Sequence, residues 1–415
     1  MAPLNIAIIG GGPAGLTLAH LLLASPSPSI TVTIFERDAS ASTRTTKGGT
    51  LDLHADTGLA ALDAAGLRPS FDRLARSDPS SGGFVLADRR GTRVFEMPTD
   101  GRGANTRPEI DREDLKQLLL NHLSSGTIHW GAHVSSITAE GTLFFSDGIQ
   151  ERTAGKFDLV VGADGAWSKV RAHVAPGTGP VYSGISAFEM HVAEPEKTAP
   201  ELAKAVGHGL YFALGSGRAL AGQRLGSGAI MLYAVKRRPG AGGAAYPQDT
   251  IEACEGDLAW VRERVKEEYK REGWAPELLA WIDAAEPKTI RGWPLYEYEL
   301  PDGHVWEHKK GWTLVGDAAH VMTPFAGEGV NAGMRDALEL ATRIRAVAGA
   351  VDAGGQEREI ALDAAVRDYE AEMFARSREV MADTYRNKEG MFDEGAPESY
   401  VAKMSEMMGG PPPEA

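Results

Sequence analysis

Residues 314–331 read LVGDAAHVMTPFAGEGVN, and this stretch decides the fold. A short apolar run, Trp312 to Val315, ends on Gly316-Asp317. A turn-forming segment with Pro324, Gly327 and Gly329 follows, then a helical pattern from Val330 to about Val347. The order is strand, acidic tip, Gly/Pro loop, helix start. A carboxylate at a strand's end can accept hydrogen bonds from a sugar hydroxyl. A Gly-rich loop entering a helix offers bare N–H groups and the positive end of the helix dipole. Two such devices, about a dozen residues apart, suit a ligand with a polyol chain at one end and an electron-rich ring at the other.

A related plan opens the chain. Residues 4–9 form a near-continuous apolar run, as expected of a strand buried on both faces. Gly10-Gly11-Gly12-Pro13-Ala14-Gly15 follows, Leu16 to Leu23 reads as a helix, and Ile30 to Phe35 reads as a strand closing on Glu36. This is G-x-G-x-x-G between strand and helix with an acid beyond it, a dinucleotide pattern. Gly10 permits the tight turn, Gly12 lets the backbone approach a pyrophosphate, and Gly15 allows close helix–strand packing. Glu36 can accept from a ribose hydroxyl. The motif alone leaves FAD and NAD both open.

Between these ends, Thr50, Asp52 and His54 share one face of an alternating segment, which suits a strand lining a polar cavity or a solvent-facing edge. Phe84 to Met97 reads as a hairpin turning near Arg90-Gly91. Asp111 is a candidate N-cap for a helix carrying Leu115, Leu118 and Leu119. Arg112 in its first turn opposes the helix dipole unless it reaches an anionic or polar ligand. Phe157 to Val161 is another buried strand, tipped by Asp164-Gly165, with Ser168 and Arg171 beyond. Short alternating strands from about Val181 to Arg237 predict a separate antiparallel sheet. Two helices (about 249–272 and 275–284) and a long helix over 357–389 follow, and Gly395 to Ala415 reads as a loose tail.

The 415 residues suggest more than one domain, and their hydrophobic content of 43% is that of an ordinary globular chain. A net charge of −14 argues against nucleic acid or an anionic membrane as the main partner. No apolar run approaches a membrane span. The first strand begins by Leu4 without a basic leader, so a signal peptide is not expected. Cys254 is the single cysteine, which excludes an internal disulfide and a cysteine metal cage. A cytoplasmic monomer is expected, with no metal.

Three motifs now stand in order: Gly10–Gly15 with Glu36, Asp164-Gly165 with Arg171, and Gly316-Asp317 with Pro324 to Asn331. Together they resemble the group A flavin-dependent aromatic hydroxylases. Within that family, residues 48–54 (GGTLDLH), Ile110-Asp111-Arg112 and the 316–327 segment look most like the tetracycline-inactivating monooxygenases. The resemblance implies an α/β fold: a Rossmann-like FAD-binding domain over 1–72, 107–176 and 291–350, and a mixed or antiparallel-sheet substrate domain over 73–106 and 177–290. A C-terminal bridging helix over 351–392 and a flexible tail over 393–415 complete it.

The resemblance also implies roles. Gly12, Pro13, Ala14 and Gly15 would bind the FAD pyrophosphate, with Glu36 and Arg37 at the adenosine ribose. Asp52, Arg112 and Asp164 lie at positions near the cofactor, Asp317 would hold the ribityl chain or pyrophosphate, and Pro324, Gly327, Gly329, Val330 and Asn331 would line the ring. NADPH would reduce the flavin and leave, with Arg44 or Lys47 as candidate phosphate contacts. Dioxygen, activated as a flavin C4a-hydroperoxide, would then hydroxylate an electron-rich phenolic or enolic polycyclic substrate, tetracycline-like or another aromatic polyketide. No dedicated catalytic side chain is expected. Candidate substrate walls are Glu189, Phe212, Arg218, Met231 and Phe325. Glu189 and Met231 replace the glutamine and histidine of tetracycline-degrading relatives, and Glu328 puts an acid where a neutral residue is usual. A flavin oxidase or dehydrogenase, or a non-catalytic flavin or aromatic-ligand binding protein, stays open on the same fold.

Overall fold

A computed structural model describes residues 3–24, 30–43, 48–76, 83–97, 107–124, 126–146, 157–238, 256–349 and 355–407. The chain divides into two compact units. One comprises Met1–Ala75, Arg112–Val181 and Glu297–Asp383, and the other Arg76–Asp111, Tyr182–Tyr296 and Thr384–Ala415.

The first unit is built on a five-stranded parallel sheet. Its order is Trp312–Leu314, Leu159–Gly162, Leu4–Ile9, Ile30–Glu36, Ile128–Trp130. Ile6, Ile8, Ile34 and Val161 on one face and Ala7 on the other are fully buried, as both faces of a parallel sheet require. The registers are level: Ile9 pairs with Phe35 and with Gly162, and Gly162 with Leu314. Level registers bring the glycine turn, Glu36, the Asp164 tip and Gly316-Asp317 to one carboxyl edge, where α/β sheets bind ligands. Helix Pro13–Leu23 packs on the strands Leu4–Ile9 and Ile30–Glu36, and helix Gly329–Gly349 packs on helix Pro13–Leu23.

The long helix Gly355–Met391 is tied to the first unit through the part that belongs to it. Tyr369 donates its hydroxyl to Leu314 O at 2.9 Å. Glu370 accepts from Thr313 Oγ1 at 2.8 Å and from Trp306 Nε1 at 3.3 Å.

The second unit holds a seven-stranded mixed sheet. Its order is Arg291–Glu297, Val181–Val192, Ile230–Arg237, Arg218–Arg224, Leu210–Gly215, Phe84–Asp88, Arg93–Met97. Described pairings are antiparallel except Leu210–Gly215 with Phe84–Asp88, which is parallel. Phe188, Met190, Tyr211, Leu220 and Leu232 face helices Leu258–Arg271 and Pro276–Ala284 and make the core with Val261, Val265, Trp281 and Ile282.

Asp111 closes the strand Glu109–Asp111 directly before the helix Arg112–Asn121, and its carboxylate takes Arg76 Nη1 at 2.9 Å and the Gly226 N–H at 3.0 Å. One expectation changes. The segment expected as a loose tail carries the helix Glu398–Met407, with Tyr400 and Val401 buried. No helix among the described residues is long and apolar enough to cross a membrane.

Candidate functional site

The glycine turn is shaped by steric necessity. Gly10 has φ +110°, and a Cβ there would fall 2.3 Å from Ala163 O. A Cβ on Gly15 would meet Gly10 O at 2.2 Å, so that glycine seats the helix on the strand. Gly12 differs: a Cβ there meets nothing within 4 Å, so its open side faces free space. Gly12 is also the N-cap of helix Pro13–Leu23 and supplies no side-chain cap, with Pro13 at the first helical position. The first-turn N–H groups and the dipole thus point at space left open by the protein.

That space is a recess of about 350 Å³ lined by Gly10 to Pro13, Glu36, Arg37, Arg112, Asp164 and Trp167. Glu36, expected on a ribose hydroxyl, braces the turn. Its Oε2 accepts from the Gly11 N–H at 2.5 Å and its Oε1 from the Asp38 N–H at 2.8 Å. Each oxygen keeps a lone pair for a further donor. Asp164 accepts from Ser168 Oγ at 2.5 Å and the Lys169 N–H at 2.7 Å; burial raises its pKa against the pull of these donors. Arg37 is exposed at the rim.

Arg112 and Asp317 are the charges left over. No described residue accepts a hydrogen bond from the Arg112 guanidinium, although its backbone N–H donates to Gly49 O at 3.2 Å. Asp317 begins the short helix Asp317–His320, after Gly316 in a left-handed conformation at φ +62°. Its carboxylate is reached by solvent yet ringed by protein, a combination that a recess produces. Loss of bulk water raises its pKa, opposed by His320 and by Arg112.

Sequence reasoning missed the scaffold behind this tip. Asp336 Oδ2 accepts from the Gly316 N–H at 2.9 Å and from His320 Nε2 at 2.6 Å, and its Oδ1 from Arg376 Nη2 at 2.8 Å. His320 and Asp336 are each about 1% exposed. Arg171 is a second such brace. It is buried over the Tyr298 ring and donates to Gly303 O, His304 O and Ala319 O at 2.9–3.1 Å. The spacing of Arg171 behind Asp164-Gly165 was visible, but its burial was not.

The loop before helix Gly329–Gly349 leaves Pro324 and Gly327 exposed and Phe325, Gly329 and Val330 half-buried. Asn331 is fully buried, and its side chain is spent internally. Oδ1 accepts from the His54 N–H at 3.0 Å and Nδ2 donates to Asp52 O at 2.9 Å. Only the Asn331 backbone N–H is left to face a ring. Asp52 and His54 meet at 3.0 Å, although the strand ends at Asp52 and His54 lies two residues beyond it.

In the second unit, strand register sorts the expected walls. Glu189 pairs with Tyr233, Tyr233 with Ala221, and Ala221 with Phe212, so Glu189 and Phe212 share the face away from the helices. Met231 is on that face too, in the neighbouring row opposite His191. Arg218 is not. Its Nη2 pairs with Glu272 Oε1 at 3.0 Å, beyond the helix Leu258–Arg271, on the helix-covered face. Strand parity thus sets Arg218 on the opposite face of the sheet from Glu189, Phe212 and Met231. A larger recess of about 580 Å³ in this unit, lined by Glu196, Lys204, His208 and Arg224, holds none of the expected residues. Arg44, Lys47 and Cys254 lie outside the described residues.

Comparisons with known proteins bear on this geometry. The FAD binding domain family matches residues 4–223 and 307–380. Monooxygenase penA of Penicillium thymicola is 34% identical, over 92% of this chain and 94% of its own. Salicylate hydroxylase of Pseudomonas putida is 28% identical, over 81% of this chain and 76% of its own. The crystal structure of the tetracycline destructase Tet(55) superposes with a TM-score of 0.68, at 18% identity, covering 100% of both chains.

Proposed function

The chain belongs to the FAD binding domain family and is an FAD-dependent monooxygenase of the aromatic-hydroxylase type, and from that premise we propose that it consumes NADPH to hydroxylate an electron-rich phenolic or enolic polycycle. Aromatic polyketides, tetracyclines among them, are the substrate class that the reading favours. The single observation that carries the cofactor assignment is the pair Asp317 and Arg112, charges with no side-chain hydrogen bond among the described residues, beside an uncapped helix start and an open Gly12. A nucleotide with a polyol chain and a pyrophosphate answers each of them.

Bound FAD supplies the electron transfer and oxygen activation that no side chain can. The protein's residues divide the rest of the work. The N–H groups of Gly12, Ala14 and Gly15 hold the pyrophosphate, and Pro13 sets the helix start. Glu36 and Arg37 meet the adenosine ribose, with Asp164 at the same rim. Asp317 accepts from the ribityl hydroxyls, and Arg112 lies across from it. Pro324, Gly327, Gly329, Val330 and the Asn331 N–H line the ring, where the helix dipole favours negative charge. Asp52 supports that loop through Asn331. Phe325 is a candidate apolar contact beside the ring loop; in the second unit Phe212 and Met231 are candidate apolar substrate contacts, and Glu189 is a candidate acceptor for a substrate O–H or N–H. Arg44 and Lys47 are candidate contacts for the NADPH phosphates.

The test is direct. The purified protein should be yellow, bind one FAD, and oxidise NADPH faster in the presence of a suitable phenol or polyketide. The product should carry one atom from labelled dioxygen. A colourless chain that takes up no FAD overturns the flavin reading. Substrate turnover without oxygen insertion makes the protein an oxidase or dehydrogenase instead.

A further inference from the structure

We propose that His54 is a positioning residue for the flavin ring: held as a cation between Asp52 and Glu328, it locks the Gly327–Asn331 loop in the shape that receives the ring. The proposal rests on the FAD reading above. His54 is 8% exposed, with Nε2 at 3.0 Å from Asp52 Oδ2 and Nδ1 at 3.3 Å from Glu328 Oε1. Both ring nitrogens face acceptors, and only the doubly protonated imidazole satisfies both.

The two carboxylates belong to different segments. Asp52 ends the strand Thr50–Asp52, and Glu328 stands between Gly327 and Gly329 just before the long helix. Gly327 is left-handed at φ +70°, and a Cβ there would lie 3.5 Å from Asp52 Oδ1. The neutral contacts of Asn331 register the two segments, and Thr57 Oγ1 adds a bond to Asn331 Oδ1 at 3.1 Å. Without the cation, two like charges would face each other across this seam.

Arg112, whose backbone N–H donates to Gly49 O at 3.2 Å, stands before the strand Thr50–Asp52, and two further charges on the packed helices are engaged elsewhere. Arg335, on the same helix as Asn331, reaches Glu339 Oε1 and Asp56 O, each at 2.6 Å. Asp63, on helix Gly58–Ala64, meets Arg68 at 3.4 Å. Hydrogen bonds donated to Asp52, then to Glu328, raise the His54 pKa to about 9 against the effect of burial. The folded value lies above the ordinary 6.5, so the lock is complete at neutral pH and lost as pH rises through about 9.

The experiment is an FAD titration by fluorescence quenching from about pH 6 to 10, on wild type, His54→Gln and Glu328→Gln, with the apo-protein melting temperature read alongside. Wild type should hold one Kd at neutral pH and weaken about tenfold through pH 9. His54→Gln should bind about tenfold more weakly at neutral pH and show no inflection. Glu328→Gln, which keeps the shape and removes one carboxylate, should move the inflection to lower pH. If wild type binds FAD and all three profiles coincide, the proposal is overturned alone. If wild type binds no FAD at any pH, the flavin reading falls and the proposal with it.

Discussion

At the carboxyl edge of the parallel sheet, the groups offered to a ligand are backbone N–H groups and two charges. On the mixed sheet they are side chains sorted by strand parity. The first kind of site is made by chain geometry: Gly10 and Gly15 are forced by close backbone approach, and Gly12 is open because nothing of the protein fills its place. The second kind depends on which residues point away from the covering helices, and a one-residue shift moves a side chain to the other face. Substitutions at the edge should therefore separate folding from binding cleanly, whereas on the mixed sheet the sign of an effect should follow parity.

The largest effect is expected behind the edge. Asp336→Ala removes the acceptor shared by the Gly316 N–H, His320 and Arg376, leaving His320 buried without its partner and Arg376 with Glu339 alone, and should cost about 3–5 kcal/mol of stability, read as a fall in melting temperature. The pH dependence follows from the same pair. Burial opposes the His320 charge, but Asp336 raises its pKa, so its contribution is full below the ordinary 6.5 and lost as pH rises through the raised value. Burial likewise opposes the Asp336 charge, yet His320 and Arg376 lower its pKa, so its contribution is present above the ordinary 3.8 and lost as pH falls through the lowered value. The wild-type melting temperature should drop on both sides of that window, and the variant's should change less.

Next comes Gly12→Val. Its side chain enters free space, so the melting temperature of the apo protein should stay within about 1 kcal/mol of wild type while FAD uptake is lost. A variant that unfolds, or binds FAD normally, would break the contrast between the two kinds of glycine. Asp317→Ala should raise the FAD Kd roughly 10- to 100-fold, the ~1.5–3 kcal/mol of hydrogen bonds to a charged group. Unchanged flavin content in the purified variant would remove Asp317 from the site.

The smallest effects sharpen the parity argument. Phe212→Ala should raise substrate KM about tenfold with flavin content intact, through lost apolar contact. Arg218→Ala, on the helix-covered face, should leave KM unchanged and cost about 0–1 kcal/mol, because its partner Glu272 is 40% exposed. A raised KM in Arg218→Ala with an unaltered Phe212→Ala would invert the assignment.

Much of the fold was legible because the parallel strands are continuous apolar runs punctuated by glycine. Leu4–Ile9 and Ile30–Glu36 stand where the pattern puts them, and the helix predicted from Val330 begins at Gly329. The strand Arg218–Arg224 was not read as one: RALAGQR has no β-branched residue, and only pairing on both sides makes it extended. With that strand unseen, the parity of Arg218 could not be counted. The tie from Asp111 to Gly226 was not legible, because the two lie 115 residues apart. Asp336 and His320 were invisible as a pair for the same reason: helix spacing does not reveal which buried acid meets which base.

The central claim is that separated segments converge on one FAD along the carboxyl edge of the parallel sheet. A crystal structure grown with FAD tests it most directly. The account predicts the pyrophosphate at Gly12 to Gly15, the ribityl chain at Asp317 and the ring against Gly327 to Asn331. FAD bound elsewhere, or side chains filling that edge with no cofactor present, would contradict it.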